Sequence, residues 1–83
     1  MHSEIPIRIG LNTYYGECIR IYRTCSEKED FLQRMKQLFA CFMNNKYSKE
    51  LILAVLYKVL GRNPSIATKY GSENWQIANY VLN

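Results

Sequence analysis

The chain is 83 residues long, 48% hydrophobic and 13% aromatic, with eleven Lys and Arg against seven Asp and Glu and a formal net charge of +4. That size allows one domain, residues 1–83, near the lower limit for a core without staples. The basic balance favours an anionic partner such as nucleic acid.

Catalytic chemistry is poorly provided for. His2 is the only histidine and sits in the terminal tail, which leaves no Ser/His/Asp or Cys/His triad. The acids form no pair set between apolar elements, and the four glycines are isolated rather than gathered into a phosphate loop. Cys18, Cys25 and Cys41 are odd in number and contain no CxxC, so neither a zinc site nor a disulfide framework is expected. All three fall among apolar helical positions, where free Cys acts as a small hydrophobe. This reads as a reduced, intracellular protein, nuclear or cytoplasmic, with no cofactor and no metal. No apolar run approaches the roughly 20 residues of a membrane span, and the N-terminus lacks a signal-peptide core.

In chain order, Ile5, Ile7 and Ile9 alternate with Pro6 and Arg8, a period of two that predicts an extended arm over 1–12. Tyr14, Cys18, Ile21 and Cys25 then recur at spacings of four, three and four, which predicts a helix over 13–25 carrying Arg20 and Arg23. Ser26-Glu27-Lys28-Glu29 reads as a capping box opening the next helix. Phe31, Leu32, Met35, Leu38, Phe39, Phe42 and Met43 follow as a stripe roughly 140° wide, an ordinary core face. Asn44-Asn45-Lys46 ends it, and Ser48 caps a third helix over 49–60 that buries Leu51, Ile52, Val55, Leu56 and Val59 and stops at Gly61. So short a turn makes the two helices near neighbours, antiparallel or splayed as in a helix-turn-helix. Asn63-Pro64 opens a short helix ending at Gly71. Ser72 caps a last one, in which Trp75 is expected to dock a C-terminal annex, 62–83, on the bundle. The class is all-α: a three-helix core over 13–61, an arm and an annex.

The informative surface is basic and aromatic. Arg8, Arg20, Arg23 and Lys28 cluster early in the chain with Tyr14, Tyr15 and Tyr22 between them. Arginine grips phosphates bidentately, and tyrosine adds stacking or sugar contacts. The segment Tyr15-Gly16-Glu17-Cys18-Ile19-Arg20-Ile21-Tyr22-Arg23-Thr24-Cys25-Ser26, followed by Glu29-Asp30-Phe31, resembles the region after the catalytic palm in Penelope-like and related retroelement reverse transcriptases. Phe42 to Tyr47 falls where that family often has Phe-x-x-Arg-Gly-Tyr, with Asn45-Lys46 replacing Arg-Gly. The resemblance covers about residues 5–60 and contains no palm. It implies a polymerase thumb, a helical bundle that holds a template–primer duplex, with Arg20 and Arg23 against the nucleic-acid backbone.

The leading expectation is a non-catalytic module that binds the phosphates of DNA or RNA through Arg20 and Arg23, supported by Arg8, Lys28 and Tyr15. A protein-interaction or self-associating module is the alternative. A helix-turn-helix DNA reader ranks third, because residues 49–60 offer only Lys49, Glu50, Tyr57 and Lys58 to read bases.

Overall fold

A computed structural model describes residues 7–83, with side chains from Gly10 onward. The described residues form five helices: α1 (Ile7–Thr24), α2 (Lys28–Asn44), α3 (Lys49–Arg62), α4 (Ser65–Tyr70) and α5 (Asn74–Leu82). The all-α class expected from the periodicities is what the chain adopts.

The N-terminal boundary differs from the expectation. Residues 7–12, assigned above to an extended arm, are the first turns of α1; residues 1–6 lie outside the described residues. The helical face continues upstream of Tyr14 to Gly10, which is buried because another element rests on it. A Cβ on Gly10 would stand 1.8 Å from the Tyr47 hydroxyl oxygen and 2.6 Å from its ring carbon. This glycine is therefore a close-approach residue between α1 and the α2–α3 turn, not a strand or turn signal. Tyr47 packs on Phe42 at 5.3 Å, and Phe42 packs edge-on to Tyr14 at 5.1 Å. At the other end of α1, the Tyr22 hydroxyl meets Ser65 Oγ at 2.8 Å. With Gly10 beside Tyr47 and Tyr22 beside Ser65, α1 and α3 run side by side in the same direction.

The core gathers Tyr14, Cys18, Phe31, Met35, Ile52, Leu56, Leu60 and Ile66. Helix α5 packs on α2 and α3 and adds Ile77, Ala78 and Val81. The expected annex is thus part of the core. Trp75 is not its anchor: the ring is 59% exposed, because the residues α5 buries lie at Ile77, Ala78 and Val81. The anchor on this side is Tyr70, stacked on Phe31 at 4.1 Å, with its hydroxyl donating to the carbonyls of Cys25 and Tyr22. Those two bonds satisfy acceptors at the C-terminal end of α1 that its own ladder leaves open.

Four local expectations are corrected. The N-cap of α2 is Glu27 rather than Ser26, and no side-chain cap forms there, since the helix starts one residue later than the capping box requires. Helix α3 passes through Gly61 to Arg62, and Glu73 rather than Ser72 caps α5. Cys41 is exposed, on the wet side of α2, whereas Cys18 and Cys25 are buried as expected. The turn from Asn45 to Ser48 has the expected length, with the left-handed residue at Lys46, φ 70°.

Candidate nucleic-acid interface

Helices α1 and α3 border an open groove of about 730 Å³. On the α1 side it is lined by Leu11, Asn12, Tyr15 and Gly16. On the α3 side it is lined by Leu51, Val55, Lys58 and Arg62. The α3 residues recur at spacings of four, three and four, one face of a helix turned away from buried Ile52, Leu56 and Val59. Asn12 and Gly16 begin a row on α1 that continues at the same helical spacing to Arg20 and Arg23. Lys58 and Arg62 are the two cations that line the groove, and no carboxylate lines it.

The five residues singled out from sequence fare differently. Tyr15 is half-buried in the groove wall. Arg20 is exposed but engaged, its Nη2 donating to Glu17 Oε1 at 2.6 Å and its Nε to the same oxygen at 3.2 Å. Such a pair between exposed side chains is worth at most about 1 kcal/mol, so a phosphate can displace it. Arg23 is exposed in the last turn of α1, without a partner among the described residues. Lys28 is exposed too, but it stands between Glu27 and Glu29 at the start of α2, with Asp30 following. Arg8 lies on the backbone of α1, and its side chain is outside the described residues. The structure thus places Tyr15 in the groove and Arg20 and Arg23 on α1 outside its lining, and leaves Lys28 in acidic surroundings.

Arg62 is not among the site residues expected from sequence, and Lys58 enters there only as a candidate to read bases. Their i,i+4 spacing, with Leu51 and Val55 in the same row, was a readable signal of a shared face. What the chain alone did not reveal was that α1 lies alongside that face. The α2–α3 turn adds Lys46 and Lys49, both exposed. Glu50 opposes them; its carboxyl is held below its ordinary range by backbone hydrogen bonding at the start of α3 and by Ser48 Oγ, 2.9 Å away. The outward crest of α3 otherwise presents Ala54, Tyr57 and Gly61.

The buried thiols and the Tyr14 hydroxyl are not activated groups. Burial pushes the Cys18 thiol up to about 12 and raises Cys25 and Tyr14 as well, so these stay protonated core residues. Among the described residues no group of His, Cys, Asp and Glu could hold a metal ion. None of the described helices is long and apolar enough to cross a membrane. Exposed lysine and arginine side chains of this kind are chemically suited to anionic oxygen atoms.

The sequence model of the animal helix-turn-helix domain family matches residues 1–54, which takes in α1, α2, the turn and the first part of α3. No curated protein and no solved structure matches the chain. The reading ranked third from side-chain chemistry is therefore the one the family match favours. The comparisons do not show a reverse-transcriptase thumb.

Proposed function

The chain belongs to the animal helix-turn-helix domain family, and on that footing we propose that it is a non-catalytic module holding duplex DNA by its backbone. The observation that carries this reading is the basic α1–α3 groove, with Lys58 and Arg62 across from Tyr15 and with Arg20 and Arg23 further along the same side of α1. Lys46 and Lys49 extend the cationic surface to the turn. Phosphate contacts of this kind fix register and orientation without carrying sequence information. The crest of α3, with Ala54 and Gly61 at its centre, offers few groups that could read base edges, so the grip is largely independent of sequence.

The thumb resemblance supplies a finer version, in which the duplex is a template–primer. One observation favours it. Lys46 stands where the thumb family often has Gly, and its φ of 70° is the left-handed conformation that Gly adopts without cost.

The test is a salt-titrated binding assay against duplex DNA, duplex RNA, an RNA–DNA hybrid and single strands. Duplex affinity is expected to fall steeply with salt. In the Arg20→Ala/Arg23→Ala variant it should fall further, with the slope of log K against log salt reduced by up to roughly 1.8, about 0.9 for each phosphate no longer neutralised. Binding by that variant that is unchanged and insensitive to salt sinks the role of those two arginines. Preference for the hybrid over duplex DNA would favour the template–primer version.

A further inference from the structure

The opposite flank of α3 borders a second pocket, of about 520 Å³, lined by Tyr57, Pro64, Ala67, Glu73, Asn74 and Trp75. All six lie beyond residue 54, so the family match assigns this pocket nothing. Two large aromatic side chains stand in solvent here, Tyr57 at 47% exposure and Trp75 at 59%. The indole is nevertheless held in place, because its Nε1 donates to Glu73 Oε1 at 2.8 Å. Glu73 is in turn fixed at the start of α5: Gln76 Oε1 accepts from its backbone N–H at 2.9 Å, and the Glu73 side chain accepts from the Gln76 N–H. A carboxylate has about four lone-pair sites, so two accepted bonds leave it with both its charge and spare acceptor capacity.

The pocket wall carries one anion and two aromatic rings. Glu73 is an anion, the Tyr57 and Trp75 ring faces carry negative quadrupole density, and buried Asn74 Oδ1 has no donor to offset its dipole. No Lys or Arg lines the pocket. The same molecule already seats ammonium groups over tyrosine rings: Lys69 Nζ lies 4.8 Å from the Tyr22 ring centre and 5.2 Å from that of Tyr70, and Lys36 Nζ lies 5.4 Å from Tyr80. Those lysines are committed elsewhere, Lys69 also donating to the Tyr22 carbonyl at 2.7 Å.

We propose that the Tyr57–Trp75 pocket receives a lysine side chain, its ammonium free or methylated, presented by a segment of a partner protein. Aromatic side chains beside a carboxylate are the combination that recognises alkylammonium groups. An anion would be repelled by Glu73, and a neutral apolar side chain would leave the carboxylate without a counter-charge.

Trp75 is the only tryptophan in the chain. Its emission reports on this pocket and on the groove at its other side with Lys36 and Tyr80, which the Tyr80 variant tells apart. The full chain is titrated at fixed ionic strength with short, otherwise uncharged peptides carrying one trimethyl-lysine, one lysine or one norleucine. The cationic peptides should give a saturable change in emission, with norleucine binding at least tenfold more weakly. Tyr57→Ala should weaken the cationic peptides at least tenfold and Glu73→Gln severalfold. Tyr80→Ala, outside the pocket, should leave them unchanged, with helix content checked by circular dichroism for each variant. The proposal is overturned if neither cationic peptide gives a saturable response, if norleucine binds as well, or if Tyr57→Ala has no effect.

Discussion

Tyr57 and Lys58 are neighbours in the chain, yet they border two grooves of opposite chemistry on the two flanks of α3. The groove towards α1 has Lys58 and Arg62 on an apolar floor and no carboxylate; the one towards α4 and α5 has Glu73, two exposed aromatic rings and no cation. A 100° step along a helix is enough to separate them. Because the two surfaces share one helix but no lining residue, each can be damaged while the other serves as a control.

The largest expected effect comes from reversing charge on the basic side. Lys58→Glu/Arg62→Glu should lower duplex affinity by roughly a hundredfold or more at moderate salt, since two phosphates lose their counter-charge and repulsion is added. The Trp75 response to a lysine peptide should be untouched. Next in size is Gly10→Ala. It forces the Tyr47 hydroxyl away from α1, and overpacking of this kind costs typically 1–3 kcal/mol. Chemical denaturation should show that loss, and most of it should disappear in a Tyr47→Leu background, where the obstructing ring end is gone.

On the aromatic side, Tyr70→Phe removes the hydroxyl that ties α4 to the end of α1, at a cost of about 1–2 kcal/mol, chiefly for the Cys25 carbonyl, since Lys69 still donates to that of Tyr22. Burial pushes this hydroxyl up to about 12 from an ordinary 10.0. A raised folded value means that the native state holds the proton more tightly. The contribution is therefore fully present below pH 10 and is lost as pH rises towards 12. Stability of the parent chain should fall across that window, and Tyr70→Phe should flatten part of the fall. The smallest effect belongs to Glu17→Gln, which releases Arg20 from its exposed ion pair and should tighten duplex binding only a few-fold.

Much of the fold was legible because it rests on local patterns. The α2 stripe of Phe31, Leu32, Met35 and Phe39, the turn at Asn45–Ser48 and the left-handed stop at Gly71 all follow from spacing and residue type. The errors came where a distant element decides. The alternation of Ile5, Ile7 and Ile9 predicts an extended arm, whereas the chain is helical from Ile7, with Gly10 packed against Tyr47. Trp75 reads as an anchor because large aromatics are usually buried, whereas Glu73 holds it in the open. Of the proposed contacts, Arg20, Arg23 and Tyr15 are ones the sequence names. Lys58 and Arg62 as phosphate contacts are not, since their value depends on α1 running parallel beside α3. The polarity of the second pocket was hidden for the same reason: Tyr57 and Glu73 come together only through the fold.

The most direct test of the basic groove is the salt dependence of duplex DNA binding by the Lys58→Ala/Arg62→Ala variant, set beside the parent chain and Tyr57→Ala. If the groove holds phosphates, the double variant should bind more weakly on every duplex sequence, with its salt slope shallower by up to roughly 1.8. Tyr57→Ala should match the parent. A double variant with the parent's affinity and slope would contradict the assignment of nucleic-acid binding to the α1–α3 face.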